Sequence, residues 1–104
     1  TFETGRAVLT AESQTILDRV AESLVASPEV NVEVQGHTDN TGSLATNNRI
    51  SQSRADAVRQ YLISKGVAAN RLTARGYGPS QPKVPNTTAA GRAENRRVEL
   101  RRTN

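Results

Sequence analysis

At 104 residues the chain has room for one compact domain burying roughly two thirds of the surface its unfolded form exposes, and a second domain does not fit. Its 14 Lys and Arg against 10 Asp and Glu give a net charge of +4, gathered late at Arg92, Arg96, Arg97, Arg101 and Arg102, which favours anionic partners. The lack of Cys excludes disulfides, thiolate metal sites and a cysteine nucleophile, two Tyr and one Phe are too few for a base-stacking platform, and no run approaches the ~20 apolar residues of a membrane-spanning helix.

The opening Thr1-Phe2-Glu3-Thr4 lacks a Met and reads like the inside of a strand, so the expectation is a module excised from a longer protein whose targeting segment lies elsewhere. Ile16, Leu17, Val20, Ala21, Leu24 and Val25 then recur in pairs every four residues, the stripe of an amphipathic helix, with Thr10 as N-cap and Pro28 marking its end. Val30, Val32 and Val34 alternate with Asn31, Glu33 and Gln35, the two-residue period of a half-buried strand. The glycine-flanked GHTDNTG, residues 36–42, leads from that strand into a second helix from about Ser43 to Lys65, stopped by Gly66. Leu72 to Tyr77 reads as a further strand. Residues 78–91, with Pro79, Pro82, Pro85, Gly78 and Gly91, read as a long polar excursion, and Val98 and Leu100 mark a terminal strand with a charged outer face. The order β-α-β-α-β-β predicts an α+β sandwich, two main helices packed on one mixed sheet.

On a helical wheel of about 100° per residue, Leu44, Ile50, Ala55, Ala57, Val58, Tyr61 and Leu62 share one arc, and Arg49, Gln52, Ser53, Asp56, Arg59 and Gln60 oppose it. Ile63 is the apolar exception on the outer side. Asn47, Ser51 and Arg54 fall inside the apolar arc at i, i+4 and i+7, a polar track facing inward. Asn47 and Ser51 alone would be ordinary helix-to-loop hydrogen bonds. Arg54 is different, because an unpaired buried charge is costly and something anionic must meet it. Asp39 is the nearest acidic residue by topology, since its loop directly precedes this helix. Asp39 beside Arg54 complements a ligand carrying an ammonium and a carboxylate on one carbon, the end of an amino acid: guanidinium forks the carboxylate and aspartate takes the ammonium protons. Composition leaves this zwitterion open against an internal Asp39 to Arg54 salt bridge, and Asp39 also suits a plain Asx-turn.

GHTDNTG, Asn47 with Ile50-Ser51 and Arg54-Ala55, Gly76-Tyr77-Gly78 and Asn95-Arg96-Arg97-Val98-Glu99 together resemble the OmpA-like C-terminal domain over nearly the whole chain. That family occurs in outer-membrane barrels, peptidoglycan-associated lipoproteins and flagellar stators. The resemblance implies a periplasmic, noncatalytic module without cofactor that binds the peptidoglycan stem peptide at meso-diaminopimelate, anchors a larger envelope protein to the cell wall and touches neither membrane nor nucleic acid, and it leaves room for a homo-oligomer through the parent protein. It places the ligand grip on Asp39 and Arg54. Thr38, Asn40, Thr41 and Asn47 become supporting residues of the same loop and helix, with Asn47 bracing the loop instead of the ligand as one alternative. Gly5 stands where relatives often carry Asn or Asp, so it offers backbone alone. Ile50 and Thr46 replace a usual leucine and a common tyrosine. Alternation along a strand would send Arg96 and Arg97 to opposite faces, one into a structural ion pair and one into solvent. His37, the sole histidine, lacks the partners of a zinc site or a Ser-His-Asp hydrolase. Two rivals stand beside the binding module: an enzyme acting on peptidoglycan, which needs paired acid and base groups or a metal, and a basic scaffold binding through its arginine-rich end.

Overall fold

Two periodicities become two layers. The computed structural model describes residues 11–104, with side chains from residue 14 onward. Helix α1 (Ala11–Ala26) leads to strand β1 (Val32–Gly36), helix α2 (Leu44–Ser64), a single 3-10 turn (Ala69–Arg71), strand β2 (Leu72–Gly76), helix α3 (Ala89–Asn95) and strand β3 (Val98–Arg102). The expected first strand, its Gly5 and the Thr10 cap lie outside the described residues. The sheet is mixed, in the order β2-β1-β3, with β1 parallel to β2 and antiparallel to β3.

Alternation on β1 sends Val32 and Val34 into the helix-facing core with Leu72 of β2, where they meet Leu17, Ala21 and Leu24 of α1 and Ala55, Val58 and Leu62 of α2. The α1 stripe is wider than the face it buries: Ile16 and Val25 stay 64% and 51% exposed. Leu44, expected in the core arc, is also exposed because it opens α2, beyond the sheet. Ile63 instead packs against the core.

Local chemistry sets the ends of α2. Ser43 caps the first turn, its Oγ accepting the Thr46 N–H at 3.1 Å. At the other end Gly66 takes φ +103°, and the Gly66 and Val67 N–H groups donate to the Ile63 and Leu62 carbonyls. This closure folds Val67 back into the core, where it is buried. Arg71 ties down the end of α1 by donating to the carbonyls of Leu24, Ser27 and Val30 at 2.7–3.0 Å.

Three expectations are corrected. The 78–91 excursion ends in α3, so a helix separates the last two strands: Thr88 caps it, its Oγ1 accepting the Gly91 N–H, and the alanines carry the turn. Gly91 read as a loop signal but is glycine for space, since a Cβ there would lie 2.3 Å from the Pro85 carbonyl oxygen. Gln52 and Arg59 do not point to bulk solvent. Gln52 donates to the Ala74 carbonyl and accepts the Gly76 N–H, while Arg59 donates to the Leu72 carbonyl, so α2 side chains occupy the outer edge of β2. Finally, Arg96 caps α3 and Arg97 precedes β3, so strand alternation does not apply to them, and both are partly buried in ion pairs.

Candidate functional site

The site forms where the parallel strands β1 and β2 end and α2 begins. Gly36 and Gly76 face each other in the ladder, and α2 rests directly on them: a Cβ on Gly36 would come 1.9 Å from the Ser51 carbonyl oxygen, and one on Gly76 2.4 Å from the Gln52 nitrogen. That close approach explains why a small residue occupies position 51. It also brings the inward polar track of α2 up against the loops that leave both strands.

Each member of the track holds one loop. Asn47 Nδ2 donates to the Thr41 carbonyl at 2.9 Å, which braces the far side of GHTDNTG. Ser51 Oγ accepts the Gly78 N–H at 2.9 Å and so fixes the loop after β2. Arg54, only 1% exposed, donates from Nη1 to the His37 carbonyl at 3.2 Å. Gly78 adopts φ +57° beside Asn48, and its carbonyl accepts the Thr38 N–H, joining the two loops.

Asp39 is 3% exposed. Its Oδ1 accepts the Thr41 N–H at 2.9 Å, the Asx-turn expected of it, and its Oδ2 takes a 2.9 Å ion pair from Arg96 Nη1. Burial pushes the carboxyl pKa up, but the Thr41 N–H and the Arg96 guanidinium outweigh it and hold the group below the ordinary carboxylate range. Arg54 is lowered to about 10, first by desolvation and then by repulsion from Arg96, with Asp39 acting the other way. It stays charged at neutral pH. A carboxylate and two guanidiniums thus share one partly dry corner, an arrangement suited to a ligand with both signs of charge and at least one carboxylate.

The other expected residues divide. Thr38 is buried, and its Oγ1 has no hydrogen-bond partner among the described residues. Asn40 and Thr41 are exposed on the loop, and Thr41 acts through its backbone. Gly5 lies outside the described residues. His37 is fully buried, stacked on Tyr77 with ring centroids 5.4 Å apart and its Nε2 3.5 Å from Glu99. Desolvation and then Arg97 lower its pKa, against Glu99. Among the described residues no cluster of His, Asp and Glu could hold a metal ion.

One of Arg96 and Arg97 was expected in a structural ion pair; both form one, and the partner of Arg96 is the candidate ligand residue Asp39. The sequence did not point to that meeting, because 57 residues separate the two side chains.

Comparison with known proteins gives the family and the fold. Outer membrane porin F of Pseudomonas fluorescens is 47% identical over 98 residues, covering 94% of this chain and 30% of that protein. The peptidoglycan-binding protein ArfA of Mycobacterium tuberculosis is 43% identical over 92% of this chain and 29% of its own length. The chain therefore spans about a third of these relatives. The crystal structure of the peptidoglycan-associated lipoprotein from Burkholderia pseudomallei superposes with a TM-score of 0.94 at 29% identity, covering 98% of this chain and 86% of that one. The OmpA family model matches residues 1–96, and the chain belongs to the OmpA family.

Proposed function

We propose that this domain binds peptidoglycan without turning it over, gripping the side-chain zwitterion of meso-diaminopimelate in the stem peptide, and so anchors a longer envelope protein to the wall in the periplasm. The observation that carries this reading is the corner built by Asp39 and Arg54. An ammonium suits the buried carboxylate of Asp39, and the carboxylate on the same carbon suits the planar fork of Arg54. Arg96 already lies on Asp39 and adds to the positive field that receives the carboxylate. Thr38 Oγ1 offers a further buried hydroxyl to a ligand polar group.

The names of two relatives support the polymer: ArfA is called peptidoglycan-binding, and the Burkholderia lipoprotein peptidoglycan-associated. Asn47 serves in this reading as the brace of the Asp39 loop, and Asn40 and Thr41 form its rim. No cofactor takes part, and any oligomer forms through the parent protein.

Co-sedimentation with purified diaminopimelate-type sacculi, with soluble fragments assayed in parallel, tests the reading. The domain should pellet with the walls and release nothing. Failure to pellet, release of muropeptides, or a steep salt-sensitive binding indifferent to Asp39 and Arg54 would each overturn it.

A further inference from the structure

Asn95 is a polar side chain with no exposure at all, at the last position of α3. Its carboxamide is fully occupied. Nδ2 donates to the Val84 carbonyl at 2.7 Å and to Asn86 Oδ1 at 2.8 Å, and Oδ1 accepts the N–H groups of Lys83 at 2.8 Å and Val84 at 3.1 Å. Gly91, one turn earlier, lets the Pro85 carbonyl come against the helix backbone. α3 is thus fastened to the loop before it at two points on one side.

The residue after Asn95 is Arg96, whose N–H closes α3 onto the Arg92 and Ala93 carbonyls and whose guanidinium reaches Asp39. One residue further, the Arg97 carbonyl accepts the His37 N–H at 2.8 Å. The clamp and the loop carrying Asp39 therefore meet through a span of two residues, and a seven-residue helix has little cooperative stability of its own to fix where that span points.

We propose that Asn95 is a positioning residue for the ligand corner: by locking residues 83–86 to the end of α3, it aims the Arg96 guanidinium at Asp39. The ligand half of this inference rests on the function proposed above, and the positioning half stands without it.

The experiment follows the Asp39 carboxyl by carbon-detected NMR titration of the whole 104-residue chain without ligand, in wild type, Asn95→Ala, Arg96→Ala and the double variant. Thr41 and the charges of Arg54 and Arg96 act on this carboxyl, and on this proposal Arg96 is the one that Asn95 positions. Asn95→Ala should raise its pKa towards the ordinary carboxylate value, as Arg96→Ala does, and the double variant should go no further. An unchanged Asp39 titration in folded Asn95→Ala overturns the proposal. If that variant does not fold, Asn86→Ala decides, since it removes one of the four bonds from the loop side. A smaller rise in the same direction supports the clamp, and no rise overturns it.

Affinity is then measured with the tripeptide L-Ala-γ-D-Glu-meso-diaminopimelate. Asn95→Ala should weaken binding about tenfold in the wild-type background and have no effect in the Arg96→Ala background, a non-additivity that general loosening of the fold does not produce. Equal losses in both backgrounds overturn the proposal. A wild type that does not bind the peptide refutes the proposed function, while the titration still decides whether Asn95 positions Arg96.

Discussion

The two halves of α2 face the same direction and do opposite work. From Ala55 onward the inward residues are Ala55, Val58 and Leu62, packed against both neighbouring layers with at most 2% exposure. Before it they are Asn47, Ser51 and Arg54, also buried and each spent on a loop. The apolar half gains from removal from water, about 1.5–3 kcal/mol for a residue such as Leu62. The polar half gains little, because each hydrogen bond replaces one to water and Arg54 carries a desolvation cost. Under the proposed function, stability and recognition are therefore written on one helix but at different ends, and mutations should separate them.

The largest separation is expected between Leu62→Ala and Asp39→Ala. The first opens a cavity in the apolar half and should lower unfolding free energy by about 2–5 kcal/mol in denaturant titration, with unchanged ligand affinity in the folded fraction. The second should weaken ligand binding by ~2–5 kcal/mol in calorimetry and also destabilise the fold, since Arg54 and Arg96 lose their shared carboxylate. If Leu62→Ala abolished binding by the folded protein, the two ends would not be independent.

Arg54→Met sharpens the contrast. It removes a costly buried charge but leaves the buried His37 carbonyl without its donor, so stability should fall by about 1–3 kcal/mol while binding is lost. A large loss of stability with binding retained would return Arg54 to a purely structural role.

The smallest effect is a pH slope at the edge of the polar end. Buried His37 is held below its ordinary pKa, so the unfolded chain takes up the proton first as pH falls below about 6.5. Stability should therefore be full above that value and decline below it, until His37 titrates in the folded state. His37→Phe, which keeps a ring against Tyr77, should remove that part of the decline in thermal scans from pH 7 to pH 5. An unaltered slope would place the acid sensitivity elsewhere.

What the sequence disclosed follows the same division. Val32 to Gln35 and the long α2 were legible because alternation and helical period are local, and the three polar residues stood out against an apolar arc; Val30 and Asn31 alternate as well but precede the strand. That Asn47 and Ser51 would bond to loops was legible too; which carbonyl or N–H each takes was not, because the loops are positioned only by the closed sheet. α3 was hidden for a different reason: Gly91 signals a break in isolation, and only contact with Pro85 shows why glycine is needed inside a helix. Gln52 and Arg59 looked solvent-facing because a helical wheel does not include the edge of β2 that they serve. Ile16, Val25 and Leu44 went the other way, apolar residues that periodicity counted and packing left outside. Arg96 was visible as a charge, but its pairing with Asp39 depends on α3.

The central claim is that Arg54 reads a carboxylate on the carbon that also bears the ammonium. Competition titration of matched stem peptides, one with meso-diaminopimelate and one with lysine at the same position, tests it most directly. Fixed salt cancels the general attraction of a +4 domain. Wild type should prefer diaminopimelate by roughly 1.5–3 kcal/mol, about ten- to a hundred-and-fifty-fold, because lysine leaves the guanidinium without its forked partner. Arg54→Lys should lose much of that preference while keeping its charge, since an ammonium has no planar fork. Equal affinity of the wild type for the two peptides would contradict the account.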